Sequence, residues 1–247
     1  MTEEEKLTVH RLQELSKRSY DRGIWCFSDF LNLAEQDAYE SLRLPGSTLF
    51  GGYEGAERKL AVFGSEETCG YEAIPPVVCL KIAPALDKFA DALTHRDFLG
   101  ALMNLGIRRE MLGDIVVQEK SAFLFCLDTV AETIIRELTR VRHTTVRVTE
   151  LSELPEFFTE KPPISTVNVA SVRLDGLVCA VFDLSRADGQ KLIGEEKVFC
   201  NARLAHSSSQ EVAEGTIVSV RGLGRFLYEG VDGETRRGRL RVNVRKY

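Results

Sequence analysis

The chain has 247 residues, 44% of them hydrophobic and 28% charged, a composition that excludes wholesale disorder and leaves room for two or three modest domains. No apolar run approaches the roughly 20 residues a membrane helix needs. The start, MTEEEKLTVHRLQEL, is acidic and then amphipathic, the opposite of a signal peptide, so the expected compartment is the cytosol and no membrane partner is expected. The formal net charge of −5 argues at first against nucleic acid. Its distribution argues the other way. From Arg221 to Tyr247 eight basic residues stand against three acids, a net of +5 that leaves −10 for the remainder, and such asymmetry is a footprint of a polyanion partner.

The elements follow in chain order. Leu7, Arg11, Leu12 and Leu15 fall at helical spacing, and Ser28 reads as the N-cap of a second helix running towards Leu42. Pro45-Gly46 ends it. The paired glycines Gly51 and Gly52 lie between two apolar segments, where they form a turn or let backbone approach a phosphate. Residues 1–72 are thus expected to form an N-terminal α+β domain.

Residues 73–152 carry the clearest pattern. Val77 to Ile82 is strand-like, and Thr94 with Asp97 makes a capping box for a helix that ends at Gly106. Asp114 to Gln118 and Ala122 to Leu127 are two more strands. Asp128 is placed to cap a second helix with Val130, Ile134, Ile135, Leu138 and Val141 on one face, and Thr144 to Val148 alternates as a last strand. The order β-α-β-β-α-β is the ferredoxin-like split unit, shared with RNA-recognition modules. Phe123 and Phe125 alternate on its third strand, to fill the core or to stack on bases. Arg96, Arg108, Arg109, Arg136, Arg140, Arg142 and His143 form a solvated helix surface or a phosphate-facing rim. Residues 153–168, with Pro155, Pro162 and Pro163, read as a semi-rigid linker.

In the C-terminal segment, 169–247, Leu174, Leu177, Val178, Val181 and Phe182 give one helix a continuous apolar stripe. Ser185 caps a second helix, whose first residue, Arg186, stands beside free backbone N–H groups suited to phosphate. Val198 to Leu204 reads as a hairpin around Asn201-Ala202. Asp232-Gly233 signals a tight hairpin turn, after which Leu240, Val242 and Val244 alternate with Arg239, Arg241, Asn243 and Arg245. Period two puts the arginines on one exposed face, either as a row that tracks a phosphate backbone or as protection of an edge strand.

No chemistry stands out. None of the six cysteines forms a C-x-x-C pair, so neither metal nor disulfide is expected. His95-Arg96-Asp97 lacks the asparagine, D-F-G and Gly-rich loop of a kinase. No Walker A loop, G-x-S-x-G elbow or H-E-x-x-H motif occurs. Catalytic residues, cofactors and a small-molecule substrate are all expected to be absent.

R-L-D at Arg173 to Asp175, S-R at Ser185-Arg186, L-I at Leu192-Ile193, K-V at Lys197-Val198, Asn201 and the E-G-T-I-V-S-V strand resemble the S-four RNA-binding domain, an αL-type fold. The resemblance implies RNA contacts at Arg173, Ser185, Arg186, Lys191, Lys197, Asn201 and Arg225; the alternation adds Arg239, Arg241 and Arg245. Gly194-Glu195-Glu196 and Ala202 depart from that domain's usual residues and lower the affinity expected of the module alone. Over the whole chain, F-G-G-Y-E-G-A-E-R at Phe50 to Arg58, L-T-H-R-D-F-L-G-A-L-M-N-L-G-I at Leu93 to Ile107, G-D-I at Gly113 to Ile115 and V-N-V-A-S-V-R-L-D at Val167 to Asp175 resemble the YlmH family of bacterial proteins. That resemblance implies a non-enzymatic protein binding rRNA and tRNA on the large ribosomal subunit with peptidyl-tRNA, in ribosome-associated quality control. The alternatives are an RNA-modifying enzyme anchored by its S-four domain and a cell-division-linked scaffold.

Overall fold

The computed structural model describes residues 3–86, 91–158, 162–201 and 203–246. The architecture is α+β, in two compact units, Met1–Glu160 and Lys161–Tyr247. Among the described residues no helix is long and apolar enough to cross a membrane.

The first unit opens with α1 (Glu3–Arg22), β1 (Cys26–Leu31), α2 (Leu33–Leu42), β2 (Ser47–Phe50), β3 (Lys59–Phe63) and α3 (Glu66–Cys69), the strands pairing in the order β1-β3-β2. Ser28 is not a helix cap. It lies inside β1, where its hydroxyl accepts the Ala61 N–H at 2.8 Å and so ties β1 to β3. The cap of α2 is Asn32, which exchanges hydrogen bonds with Glu35 in a complete capping box. Pairing of β1 with β3 engages the Ser28 hydroxyl, and the cap passes to Asn32, four residues on.

The same unit continues with β4 (Val77–Pro84), α4 (His95–Asn104), β5 (Leu112–Gln118), β6 (Ser121–Leu127), α5 (Asp128–Glu137), β7 (Arg140–Val141) and β8 (Thr144–Leu151). The sheet runs β5-β6-β4-β8-β7, all antiparallel. This is the expected β-α-β-β-α-β order with a short extra edge strand. The Thr94–Asp97 box forms. Asp128 is the first residue of α5 rather than its cap, and its N–H donates to the Pro76 carbonyl instead. Val141 leaves the expected helix face for β7, and Ile135 is 39% exposed, so the buried stripe is Val130, Ile134 and Leu138. That stripe packs with Phe98 and Leu102 of α4 against one sheet face.

The N-terminal strands and this sheet share packed surfaces: Phe30, Leu60 and Val62 cluster with Leu127, and Tyr53 packs with Phe123, Phe125 and Phe158. The span expected as a linker is consumed from both ends. A 3-10 turn at Glu156–Phe158 puts Phe158 into the first unit's core, and β9 (Ile164–Val169) is a strand of the second unit. The apolar residues inside the proline-rich segment outweigh its linker-like composition.

The second unit adds α6 (Leu174–Phe182), α7 (Arg186–Gly194), β10 (Val198–Cys200), β11 (Arg203–Leu204), β12 (Ile217–Val220), β13 (Gly224–Glu234) and β14 (Leu240–Lys246) to β9. The sheet order is β11-β10-β12-β13-β14-β9. Leu174, Leu177 and Val178 of α6 are fully buried against Val218, Phe226, Val242 and Val244. Two expectations change here. Asp232-Gly233 makes no hairpin turn: β13 runs through it, with Gly233 at φ 110 in a register shift between Val231 and Glu234. The chain turns at Thr235–Arg239 instead, where Gly238 takes φ 71 and the Thr235 hydroxyl accepts the Arg239 N–H at 3.0 Å. A positive-φ glycine serves a bulge as readily as a turn. Nor is β14 an edge strand, because β9 covers its outer side from Ile164 to Val169.

Candidate nucleic-acid interface

Three of the expected basic residues converge. Arg173 at the start of α6, Arg186 at the start of α7 and Arg239 just before β14 line one cleft of about 620 Å³. The two helices can cross so closely because Gly189 of α7 faces the Cys179 sulfur of α6, where any Cβ would collide. Arg173 is fixed by a two-pronged pair with Asp175, Nε to Oδ1 at 3.2 Å and Nη2 to Oδ2 at 3.0 Å. Asp175 is only 2% exposed and also accepts the Gly176 N–H at 2.9 Å. Planar, bidentate pairing of this kind sets the guanidinium plane as well as its position. Arg239 is held by donating to the Asn168 carbonyl at 2.9 Å. Arg186 is exposed in the first turn of α7, where backbone N–H groups and the helix dipole favour an anion. Asp183 also lines the cleft, so it is a moderately rather than strongly positive surface.

The other expected contacts are placed differently. Ser185 caps α7: its hydroxyl accepts the Asp188 N–H at 3.2 Å and donates to the Asp188 carboxylate at 2.6 Å. Lys191 and Lys197 flank Glu195, at 3.8 and 2.7 Å, and the hydrogen bond from Lys197 holds the Glu195 carboxyl below its usual range. This acid damps both lysines. Asn201 serves the fold. It sits at φ 47 in the β10–β11 hairpin, and its side-chain oxygen accepts the Ile217 N–H at 2.9 Å. Ala202 lies outside the described residues.

The expected arginine row breaks up. Arg239 is in the turn, and Arg241 reaches back to the Asp232 carbonyl at 3.2 Å. Arg245, with a side chain only 16% exposed, is engaged by Glu229 at 2.5 Å and by the Pro162 carbonyl at 2.6 Å. No acid interrupts the row along β14, but Glu229 arrives from β13. Arg225 shares the outer face of the same sheet, in register with Ser219 and, one strand further, Phe199. The Arg221 guanidinium stacks over the Phe199 ring at 4.7 Å, a cation–π pair that sequence reasoning missed. The signal was available: Phe199 is out of phase with the inward Val198.

In the first unit the motifs Phe50–Arg58 and Gly113–Ile115 meet. The Asp114 carboxylate accepts from the Tyr53 hydroxyl at 2.7 Å and from the N–H groups of Glu57 and Arg58 at 2.7 and 2.9 Å. The Arg58 guanidinium donates to the Leu112 and Phe30 carbonyls, both at 2.9 Å, and Arg109 donates to the Leu112 carbonyl at 2.7 Å. Burial pushes the Asp114 carboxyl up, against the pull of the Tyr53 hydroxyl, the Arg58 amide and the two guanidiniums. Burial likewise lowers both arginines, Arg109 to about 10. Gly52, at φ 92, presses on the Phe125 ring. The glycine pair is therefore a turn at a packed joint rather than a phosphate loop. Phe123 and Phe125 are core: Tyr53 stacks on Phe125 at 4.8 Å, and Phe157 and Phe158 cover Phe123 at 5.1 and 5.5 Å.

Residues 80–154 match the family model described as "Putative RNA-binding domain in YlmH". The chain is 31% identical over 226 residues to the ribosome-associated protein quality control protein P2 of Bacillus subtilis (strain 168), covering 89% of this chain and 86% of that protein. The chain belongs to the YlmH family. A solved YlmH structure, the cell division protein ylmH from Streptococcus pneumoniae, aligns with 64% of this chain and 94% of its own at a TM-score of 0.50 and 18% identity, a likeness of fold. In this YlmH-family chain the family-model match begins inside β4 and ends just beyond β8. It thus takes in the four-stranded core and β7, while the Arg173–Arg186–Arg239 cleft lies outside it.

Proposed function

We propose that this YlmH-family protein is a non-enzymatic RNA-binding factor that associates with the ribosome and acts on stalled nascent-chain complexes. In this reading the second unit is an S-four domain, and the first contains a ferredoxin-like domain. The observation that carries the proposal is the convergence of Arg173, Arg186 and Arg239 around one concave surface at the N-terminus of α7. Such a surface offers oriented donors and positive charge to phosphate, and no nucleophile–base pair is needed for that work. The kinship with a ribosome-associated quality control protein supports a ribosomal partner in the cytoplasm; the large subunit carrying peptidyl-tRNA, with rRNA and tRNA as ligands, is our more specific proposal.

The test is co-sedimentation with ribosomes over a range of salt. Arg186→Ala with Arg239→Ala should weaken association, and the wild-type affinity should fall steeply with salt as counterions are released. Salt-insensitive association, or association that survives nuclease treatment, would instead favour a protein scaffold.

A further inference from the structure

The first unit presents a sheet of the kind RNA-recognition modules use, yet the face that would stack bases is filled. Tyr53, Phe157 and Phe158 cover Phe123 and Phe125, which are 5% and 1% exposed. The opposite face is occupied by α4 and α5. Beyond these helices lies a cleft of about 550 Å³ between α4 and the α5–β7 junction, with Arg96, Arg140 and Arg142 on its walls.

We propose that this arginine cleft is a second RNA site, which grips the phosphate backbone from the helical side of the sheet. The inference rests on the RNA reading given above and adds a surface to it.

Charge accounting within the cleft favours an anion. Its two acids are already engaged. The Asp97 carboxylate accepts from the Thr94 N–H and hydroxyl at 2.8 and 2.7 Å and lies 3.5 Å from Arg142. Glu137 pairs with Arg136 at 2.9 Å. With Arg142 set against Asp97 and Arg136 against Glu137, the charges of Arg96 and Arg140 are left over among the described residues. Arg142 is also positioned by its backbone, at φ 51 in the turn from β7 to β8. Arginines on an edge strand are by themselves ordinary protection against pairing. Here Arg96 comes from a different element and lines the same hollow, which edge protection does not require. Gly100, Ala101 and Leu105 line the cleft together with the polar side chains of Asn104 and Thr139. The surplus guanidinium charge directs the cleft to the sugar-phosphate backbone, with Asn104 and Thr139 at hand for further hydrogen bonds to the nucleic acid.

The experiment uses the full chain and a 20-base-pair RNA hairpin of arbitrary sequence, with binding followed by fluorescence anisotropy from 50 to 200 mM KCl. Arg96→Gln with Arg140→Gln should weaken binding roughly tenfold and reduce the log–log salt slope by about 1 to 2, since each lost phosphate contact removes about one unit. Both side chains are exposed, and an unchanged thermal unfolding curve would confirm an intact fold. An unchanged slope in this variant, alongside a loss in Arg186→Ala/Arg239→Ala, overturns this inference while the C-terminal reading stands. An unchanged slope with lost ribosome co-sedimentation assigns the cleft to a protein and likewise overturns it. No binding by the wild-type chain removes the reading on which the inference depends.

Discussion

The Tyr53 hydroxyl donates to the Asp114 carboxylate at 2.7 Å, joining the β2–β3 connection to β5 across the junction of the N-terminal strands with the five-stranded sheet. The same carboxylate holds the N–H groups of Glu57 and Arg58 and faces two partly buried guanidiniums. Asp114→Ala leaves three donors without their acceptor, and should lower stability by about 1–3 kcal/mol for each donor left buried and unsatisfied. Tyr53→Phe, which removes one charged hydrogen bond, should cost about 1.5–3 kcal/mol. Urea unfolding followed at residues of each unit will check this, with the second unit unaffected.

Arg186 and Arg239 are better probes of the C-terminal cleft than Arg173. Removing Arg173 strands Asp175, which is 2% exposed, so Arg173→Ala should lower stability as well as RNA affinity. Arg186→Ala with Arg239→Ala should lower affinity roughly tenfold or more without shifting the unfolding midpoint. Lys191→Ala with Lys197→Ala should cost less, because Glu195 already damps both lysines. Parallel binding and unfolding curves separate the three variants.

Asp97 and Asp114 should titrate on opposite sides of an ordinary aspartate. Hydrogen bonds from Thr94 hold the Asp97 carboxyl down; its contribution to stability is present above the unfolded pKa and is lost as pH falls through the lower folded value. Burial raises Asp114, so its contribution is full below the unfolded pKa and declines as pH rises through the higher folded value. Carbon-13 carboxyl titration by NMR reads both. Coincident titration of the two would contradict these environments.

Cysteine reactivity gives a third check on the packing. Burial pushes the Cys79 and Cys126 thiols up to about 12 and Cys200 to about 11. At pH 8 iodoacetamide should spare Cys79 and Cys126 in the native protein and modify all six cysteines in urea, since the thiolate is the reacting form. Peptide mass spectrometry gives the pattern.

Local spacing made part of this molecule legible. The Thr94–Asp97 box, the α6 stripe and the Ser185 cap each depend on residues three to eight positions apart, and each is where the pattern put it. The errors arose where a distant partner decided the outcome. Ser28 fits a cap by its neighbours but is claimed by Ala61. Asp232-Gly233 supports a turn or a bulge with the same backbone, and the β14 register selects the bulge. Arg245 looked free because its acid, Glu229, sits on another strand. The motif around Gly52 was visible as a pattern, but its meaning required Asp114 and Phe125 beside it.

The pairing of β9 with β14 sets a schedule as well as a shape. Ile164 meets Arg245, roughly eighty residues later in the chain. At synthesis rates of about 5–20 residues per second, the first strand of the second unit waits on the order of 4–16 s for its partner. Throughout that interval the backbone of β9 and one flank of the apolar face beneath α6 have no strand to close them. The second unit is thus itself vulnerable to a stall near its end: an arrest before Leu240 leaves both edges of β9 open, a ready template for pairing with another chain.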